Sequence, residues 1–335
     1  MKNVRFSVLG LAICSSLAIA EVPKLNLDIE QITVSGLSSG GFMATQMHVA
    51  FAEWVAGAGI VASGPYYCAR NSLQTALQEC LAQTTIDVDI AAIEQQRVDW
   101  QSAEKVAAID AMQNDKVWIL HGEKDTRLSR RVATSLVQQY QAWVNPDNVL
   151  FVDDKPFAHH FPTISQGKEC STSETPFLGL CDYDTAGAIL THLLPDIQQP
   201  KGSATGQLIA FKQQAIAGDA EGSLAEQGYI YVPTSCKEGD TCEVHVSFHG
   251  CNQFADAPGV DNQYAMSAGF NRWADANNLV VVYPQTQASN FNPFNPQGCW
   301  DWWGYTGEDY ATRDGAQPKA IEKIVKYFAG EQNEQ

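Results

Sequence analysis

A pentapeptide near the start of the chain, Gly36-Leu37-Ser38-Ser39-Gly40, matches the pattern G-x-S-x-G. In this pattern the serine lies on a tight, strained turn between a strand and a helix, and the glycines remove side chains that would collide there. Residues 31–35 read as a strand, and residues 42–52 carry apolar residues at helical spacing, so the flanking segments fit. Among the neighbouring serines, Ser38 alone has a glycine two residues before and after it. The sequence therefore predicts that Ser38 is a nucleophile for acyl transfer.

A nucleophilic serine needs a base and an acid that orients the base, and in strand–turn–helix hydrolases the chain order is serine, acid, histidine. Asp125 directly follows an apolar strand predicted at residues 115–120, where the acid is expected. Asp153 and Asp154 are rivals, but they follow the next strand, at residues 148–152, which should lead to the histidine. Asp125 is the predicted acid.

Two of the seven histidines, His159 and His160, follow the strand at residues 148–152 and are the candidates for the base. The other five occupy positions that favour structural roles, on a helix, before a glycine at a strand end or inside a strand: His48, His121, His192, His245 and His249. Spacing alone leaves the choice between His159 and His160 open.

The reaction also needs two backbone N–H groups that stabilise the negative oxygen of the intermediate. One is the N–H of Ser39, the residue after the nucleophile. The other usually comes from a His-Gly loop that precedes the nucleophile in the chain. Here no such loop precedes Ser38; the matching segment, Phe248-His249-Gly250-Cys251, lies more than two hundred residues after it. This reversed order predicts a circular permutation, with residues 228–285 supplying the first strands of the sheet.

The elements that must position these groups alternate between short apolar strands and helical segments. Strands are predicted at residues 58–62, 228–232, 244–248 and 279–283 in addition to those above, and helices at 129–144, 185–194 and near 263–277. This alternation is typical of an α/β protein with a mainly parallel central sheet flanked by helices. Together with the motifs, it predicts a circularly permuted α/β-hydrolase fold. Residues 196–226, of mixed Gln, Gly, Ala and Pro composition, would bridge the permuted halves.

The N-terminal twenty residues carry Lys2 and Arg5, a short apolar stretch and the small-x-small sequence Ala18-Ile19-Ala20, which predicts a signal peptide. A lipid anchor on Cys14 is less favoured because the bulky Ile13 precedes it. We therefore expect a secreted protein, with periplasmic retention left open, and one catalytic domain over residues 21–335 without a separate substrate-binding domain. The net charge of −17 argues against nucleic acid or an anionic membrane as a partner. We expect a monomer.

Eight cysteines remain after the signal peptide, an even number that indicates four disulfides in an exported chain. Pairing the cysteines that are close in sequence gives Cys68–Cys80, Cys170–Cys181 and Cys236–Cys242, and leaves Cys251–Cys299 as a long-range bridge. No pair has C-x-x-C spacing and no histidine is suitably placed, so neither a metal site nor a cofactor is expected.

Eight segments, taken in order, resemble the circularly permuted, single-domain polyhydroxybutyrate depolymerases. They are SGLSSGGFMA at 35–44, HGEKDTRL at 121–128, AHHFPT at 158–163, CDYDTAGAIL at 181–190, GYIYVPTSC at 228–236, VSFHGCNQ at 246–253, ADANNLVVVYPQ at 274–285 and NPQGCWDWWG at 295–304. The resemblance covers nearly all of the chain beyond the signal peptide. It implies an esterase acting on poly(3-hydroxybutyrate) or its oligomers through an acyl-enzyme.

The resemblance also implies residue roles. The family pattern Gly-His-x-Phe-Pro-Thr selects His159 as the base, with Ala158 in place of the glycine, and the His-Gly-Cys motif puts the second oxyanion donor on the Cys251 N–H. The Cys-Trp motif at Cys299 supports the Cys251–Cys299 bridge as a brace for that loop. Without a separate binding domain, the polyester would contact aromatic residues of the Asn- and Pro-rich segment 288–305; the candidates are Phe291, Phe294, Trp300, Trp302, Trp303 and Tyr305.

Two other functions remain open. A secreted feruloyl or acetylxylan esterase would share this scaffold and triad. A non-catalytic binding protein on a hydrolase fold is disfavoured because all three triad positions have candidates.

Overall fold

The computed structural model describes residues 22–81 and 86–331. The predicted signal peptide, residues 1–20, lies outside the described residues. Within them, no helix combines the length and the apolar character that crossing a bilayer requires.

The described residues form twelve strands, which are β1 Asn26–Leu27, β2 Ile32–Leu37, β3 Val55–Val61, β4 Lys116–Leu120, β5 Val149–Val152, β6 Phe161–Thr163, β7 Lys168–Glu169, β8 Leu178–Leu180, β9 Gln207–Lys212, β10 Gln227–Val232, β11 Thr241–Phe248 and β12 Leu279–Tyr283. The same residues form ten α-helices, which are α1 Ser39–Ala50, α2 Leu73–Glu79, α3 Ile90–Ser102, α4 Arg130–Trp143, α5 Thr185–Leu193, α6 Gln213–Ala217, α7 Thr234–Lys237, α8 Gln263–Ser267, α9 Phe270–Ala276 and α10 Ala316–Phe328. Short 3₁₀ turns span Ile109–Met112 and Pro146–Asn148.

Nine strands form one sheet in the order β5-β4-β3-β2-β11-β12-β10-β9, with β1 beside β11. In this spatial order, the six strands β5, β4, β3, β2, β11 and β12 run parallel to one another. At the edge beyond β12, β10 pairs antiparallel with β12, and β9 pairs antiparallel with β10. A small sheet of β6, β8 and β7 lies apart from it. The predicted α/β-hydrolase fold, with a largely parallel central sheet flanked by helices, is confirmed.

Strand β2, which leads into the Ser38 turn, pairs in parallel with β11 from the far end of the chain. The register aligns Thr33 with His245 and Gly36 with Phe248, so both strands end at the same level. The loop after β11 therefore lies directly beside the Ser38 turn. A loop that ordinarily precedes the nucleophile in the chain here follows it, which is the strand order expected of a permuted chain.

Apolar layers cover both faces of the sheet, as side-chain alternation along β2 illustrates. Ile32 and Val34 pack with residues of α1, α4 and α10, whereas Leu37 packs with residues of α5 and α9. Because successive residues of a strand point to opposite faces, the two clusters lie on opposite sides of the sheet. Strands buried on both faces explain the nearly continuous apolar runs in the sequence.

Two sequence predictions of local structure need correction. The sequence predicts no strand or helix within the bridging segment 196–226, but this segment contains α6 and the edge strand β9, which pairs with β10 over six residues. The helix predicted near 263–277 is divided into α8 and α9. Gly269 lies between them with a φ of 103°, a left-handed conformation that glycine adopts without steric cost. The four disulfides join the cysteines as predicted.

The junction between the Ser38 turn and β11 generates a stability prediction at Gly40. A Cβ atom at Gly40 would lie 2.2 Å from the Phe248 carbonyl oxygen and 2.4 Å from that of His249, and backbone atoms cannot rotate away. We expect Gly40→Ala to lower the free energy of unfolding by about 1–3 kcal/mol, measured by urea denaturation of the oxidised protein. Gly202→Ala is the control, because nothing lies within 4 Å of its added Cβ. Equal stability of the two variants would contradict the close approach.

Candidate active site

Ser38 lies at the junction of β2 and α1 in a backbone conformation that non-glycine residues rarely adopt. Its φ is 55° and its ψ is −118°, and its N–H donates to the Val61 carbonyl oxygen at 2.9 Å. Gly36 permits this turn, since a Cβ there would lie 2.2 Å from the Gly40 carbonyl oxygen. Strain of this kind persists where the surrounding structure holds it and is concentrated at functional sites. Ser38 is half-buried and lines a cleft.

His159 lines the same cleft, and its ring is oriented by Asp125. The distance from His159 Nδ1 to Asp125 Oδ2 is 2.8 Å, and the Asp125 side chain is fully buried. An ionised carboxylate only accepts, so His159 Nδ1 carries the hydrogen and Nε2 is left as the basic atom. The structure thus brings the predicted acid next to the predicted base, and the base into the cleft of the predicted nucleophile.

Asp125 is held in place by its own loop. Its Oδ1 accepts hydrogen bonds from the backbone N–H groups of Arg127 and Leu128, at 2.8 and 2.9 Å. Burial alone would raise the pKa of the Asp125 carboxyl. The His159 ring and the two N–H groups act in the opposite direction and dominate, so the pKa of Asp125 is lowered. The carboxylate therefore stays ionised and can stabilise an imidazolium on His159.

The rival residues are engaged elsewhere. Asp153 pairs with Arg130 and Asp154 with Lys155, and among the described residues neither forms a hydrogen bond or ion pair with a histidine. His160 has its Nδ1 2.9 Å from the Thr172 carbonyl oxygen, and burial lowers its pKa. The geometry thus favours His159 over His160.

Four of the remaining histidines make structural hydrogen bonds, as expected, whereas the fifth, His121, has an Nδ1 without a hydrogen-bond partner among the described residues. They bond to the following partners: His48 to Asp115 and Tyr140, His192 to Asn148, His245 to Thr33 and Ser35, and His249 to Gly250 and Thr286; His121 is buried at the end of β4.

The two predicted oxyanion donors lie on neighbouring segments. Ser39 is the first residue of the twelve-residue helix α1, so its N–H lies at a helix N-terminus, which favours negative charge. Cys251 belongs to the loop after β11. Within residues 22–81 and 86–331, neither N–H has a protein acceptor. The Cys251–Cys299 disulfide ties the β11 loop to the segment that contains Trp300, whose N–H donates to Ser39 Oγ at 3.3 Å. Both donors are therefore braced by the same segment.

Around these groups lies a cleft of about 560 Å³ with mostly apolar walls. Helix α2 and the segment just after it contribute leucines, and several other segments contribute aromatic rings; these residues are Leu73, Leu77, Leu81, Phe42, Phe177, Phe294, Trp302 and Trp303. Trp302 stacks on Phe42 with ring centroids 4.9 Å apart. An apolar cleft with a few polar groups at one point fits an uncharged, flexible ester better than a polar polymer such as a polysaccharide.

Known proteins share this sequence and fold. The chain is 37% identical to a poly(3-hydroxybutyrate) depolymerase of Delftia acidovorans over 324 residues, which are 94% of this chain and 64% of that protein. It is 33% identical to a polyhydroxybutyrate depolymerase of Talaromyces funiculosus over 334 residues, 94% of this chain and 96% of that protein. No family model matches.

The fold is also similar to solved structures of depolymerases of the same kind. The crystal structure of a PHB depolymerase from Penicillium funiculosum superposes with a TM-score of 0.85 at 32% identity, covering 93% of this chain and 99% of the other. A PHB depolymerase with a serine-to-alanine substitution, in complex with an R3HB trimer, matches with the same TM-score and coverage at 31% identity. The chain belongs to the polyhydroxybutyrate depolymerase family.

Of the aromatic residues that the family resemblance offered as substrate contacts, three line the cleft: Phe294, Trp302 and Trp303. Trp300 does not, because its side chain is fully buried against Phe248 and His249. Tyr305 is turned inward, and its hydroxyl donates to the Cys299 carbonyl oxygen. Their positions argue against the expected contact with substrate. Phe291 is 90% exposed but lies outside the cleft.

Gln253, which sequence reasoning did not select, joins the predicted oxyanion loop, which carries Gly250 and Cys251 after β11, to the segment beside His159. Its buried Oε1 accepts from the Gly250 N–H at 2.7 Å, and its Nε2 donates to the carbonyl oxygens of Pro176 and Phe177 at 2.7 and 3.1 Å. One side chain thereby fixes the distance between two walls of the cleft. The match to VSFHGCNQ was the signal that could have found it, since Gln253 is the last residue of that segment.

Asp301 is a second residue that sequence reasoning missed, and it organises the turn that carries Trp302 and Trp303. Its fully buried carboxylate accepts N–H hydrogen bonds from four consecutive residues, 303–306, and the Thr306 hydroxyl. Burial raises its pKa, although these hydrogen bonds oppose the shift. The turn therefore presents the two tryptophans to the cleft from a fixed backbone.

Among the described residues, one group has metal-ligand proximity, namely His160, Cys170 and Cys181. Both sulfurs are engaged in the Cys170–Cys181 disulfide, which removes the thiolates that a metal ion needs. The disulfide instead braces the segment beside His159, because the Cys170 carbonyl oxygen accepts from the Ala158 N–H at 3.1 Å.

The contacts of Gln253 predict a catalytic effect without contact to the reacting atoms. We expect Gln253→Leu to lower kcat by about 10–100-fold with a smaller change in KM, because the oxyanion loop loses its anchor. Steady-state kinetics on a soluble ester measures this split. Gln263→Leu is the control, since within the described residues the Gln263 side chain donates only to the exposed Gly259 carbonyl oxygen. A change in KM alone would contradict the positioning role.

Proposed function

We propose that the chain is a serine esterase that hydrolyses poly(3-hydroxybutyrate)-type polyesters and oligomers through an acyl-enzyme on Ser38. The observation that carries the proposal is the 2.8 Å Asp125–His159 contact in the cleft that Ser38 lines. Family membership supports the substrate, and so does the R3HB trimer bound to the related depolymerase. The chain spans 64% of the length of the Delftia relative.

The proposed reaction has two halves. His159 Nε2 takes the proton of the Ser38 hydroxyl as the oxygen attacks the ester carbonyl, and Asp125 stabilises the imidazolium that forms. The negative oxygen is held by the N–H groups of Ser39 and Cys251. His159 then protonates the leaving alcohol, and a water molecule, activated by the same histidine, releases the acid and regenerates Ser38.

We also propose that the protein is exported from the cell and that its catalytic domain itself adsorbs to the solid polyester. Four disulfides support an oxidising compartment, as the predicted signal peptide at 1–20 would require. One catalytic domain, acting as a monomer, would adsorb to the polyester through apolar side chains near the cleft. Phe291 and Phe294 are 90% and 55% exposed, and Leu77 on the cleft wall is 57% exposed.

Replacement of the nucleophile tests the proposal against its alternatives. Ser38→Ala should abolish clearing of a poly(3-hydroxybutyrate) suspension and labelling by a fluorophosphonate probe, with kcat lowered on the order of 10⁶-fold. Ser165→Ala, at an exposed serine, should keep both. Release of ferulate or acetate from plant polysaccharide without polymer clearing would favour the other esterases. Absence of labelling in the unmodified protein would favour a binding protein.

Replacement of the acid tests the orientation of His159. We expect Asp125→Asn to lower kcat on the order of 10⁴-fold, because the amide can donate to His159 Nδ1 and so favours the wrong tautomer. Asp153→Asn, which removes the rival carboxylate, should change kcat little since Asp153 pairs with Arg130. If the two substitutions had equal effects on soluble-ester hydrolysis, Asp125 would not be the acid.

A further inference from the structure

The walls of the cleft carry a single permanent charge among the described residues, the guanidinium of Arg127. Every other wall residue is apolar or neutral apart from the titratable His159. The chain has 38 acidic and 21 basic residues, so the positive charge at this cleft is opposite in sign to the net charge of the protein. An uncharged polyester chain needs no such group.

Arg127 also has no acidic partner among the described residues. The ion pairs of the described residues involve other basic residues, including Arg130 three residues later, which pairs with Asp153. The Arg127 guanidinium instead lies over the Phe177 ring, 5.2 Å from its centroid, a contact that leaves its N–H groups available to an anion. The side chain is exposed, and Phe177 lines the same cleft.

The backbone places Arg127 on the His159 side of the cleft. Its N–H donates to Asp125 Oδ1, and the other oxygen of Asp125 contacts His159 Nδ1. His159 is the group that must protonate the leaving alcohol. Arg127 is therefore positioned by the same carboxylate that orients the base, next to the path of the leaving group.

In a hydroxyacid oligomer, the fragment that occupies the leaving-group side of the cleft differs chemically from the acyl fragment. In each internal ester bond the acyl group comes from one unit and the alcohol from the next, so the leaving part always contains the end with the free carboxylate. When cleavage occurs one or two units from that end, the carboxylate leaves with the short alcohol fragment. A guanidinium binds a carboxylate through two parallel hydrogen bonds.

We propose that Arg127 binds the free terminal carboxylate of a hydroxyacid oligomer on the leaving-group side, so that ester bonds near the carboxyl end are cleaved preferentially. This inference rests on the proposed esterase function and adds a preference for one end of the oligomer. A carboxylate at that end forms an ion pair with Arg127, whereas an esterified end does not.

The test compares the 3-hydroxybutyrate trimer as free acid and as methyl ester. We expect unmodified protein to give a kcat/KM ratio of acid to ester of about 5, the upper range for an exposed ion pair. Arg127→Gln should bring the ratio to 1 or below, because the net charge of −17 then disfavours the carboxylate, and Arg127→Lys, which keeps the charge, should lie between. Arg130→Gln is the matched control and should leave the ratio at the unmodified value. Raising the salt concentration to 0.5 M should lower the ratio in the unmodified protein and not in Arg127→Gln.

Several results would overturn the proposal. They are a ratio near 1 in unmodified protein, a ratio unchanged by Arg127→Gln, an equal loss in Arg130→Gln, or equal ratios in the lysine and glutamine variants. Each of these leaves the proposed esterase function standing, because both trimers are still hydrolysed. If unmodified protein labels with the fluorophosphonate probe but hydrolyses neither trimer, the substrate proposal fails, and the role of Arg127 fails with it.

Discussion

The close approach of the Ser38 turn to the end of β11 is the constraint on which the rest of the site depends. Gly40 lies against the carbonyl groups of Phe248 and His249 with no space for a Cβ atom. This contact sets the nucleophile turn and the oxyanion loop side by side, although about two hundred residues separate them in the chain. Parallel pairing of β2 with β11 makes the approach possible, and this pairing does not depend on which of the two strands comes first in the chain.

The permutation is therefore a change of connectivity and not of the catalytic geometry. Because polar groups act through space, the proposed role of the Cys251 loop as an oxyanion donor does not depend on which end of the chain supplies it. What the rearranged chain must still supply is rigidity, since an oxyanion donor is effective only when it is held before charge develops. Two kinds of brace supply it: the Cys251–Cys299 disulfide and the buried hydrogen bonds of Gln253 and Asp301. Buried polar groups are costly when unpaired, so these fully bonded side chains also favour one loop conformation.

Sequence patterns predicted the parts of the structure that local rules govern. The glycines around Ser38 and the apolar strands follow from turn sterics and strand–helix alternation, and the predicted strands lie within a few residues of those observed. The choice of His159 over His160 did not follow from spacing and came from the family resemblance. Patterns failed where long-range contact decides. Trp300 and Trp302 are two residues apart in one aromatic run, yet one is in the core and the other on the cleft wall, because the turn around Asp301 sets their directions. Strand β9 was missed in a segment of mixed composition, since its stability comes from pairing with β10.

In the cleft, apolar walls provide binding of the ester chain, and a few polar groups provide the selection of one bond within it. Its apolar walls gain free energy from any neutral ester chain in proportion to the area removed from water, without regard to position along the chain. Polar groups, in contrast, are confined to the few atoms around Ser38 and to Arg127, where they distinguish one bond, and one end, from another. Hydrolysis converts a neutral ester into a carboxylic acid that is ionised at neutral pH, and a surface with a net charge of −17 repels that product once it leaves the cleft. In the proposed reaction, an acidic exterior around an apolar cleft therefore favours uptake of the neutral polymer and departure of its charged products.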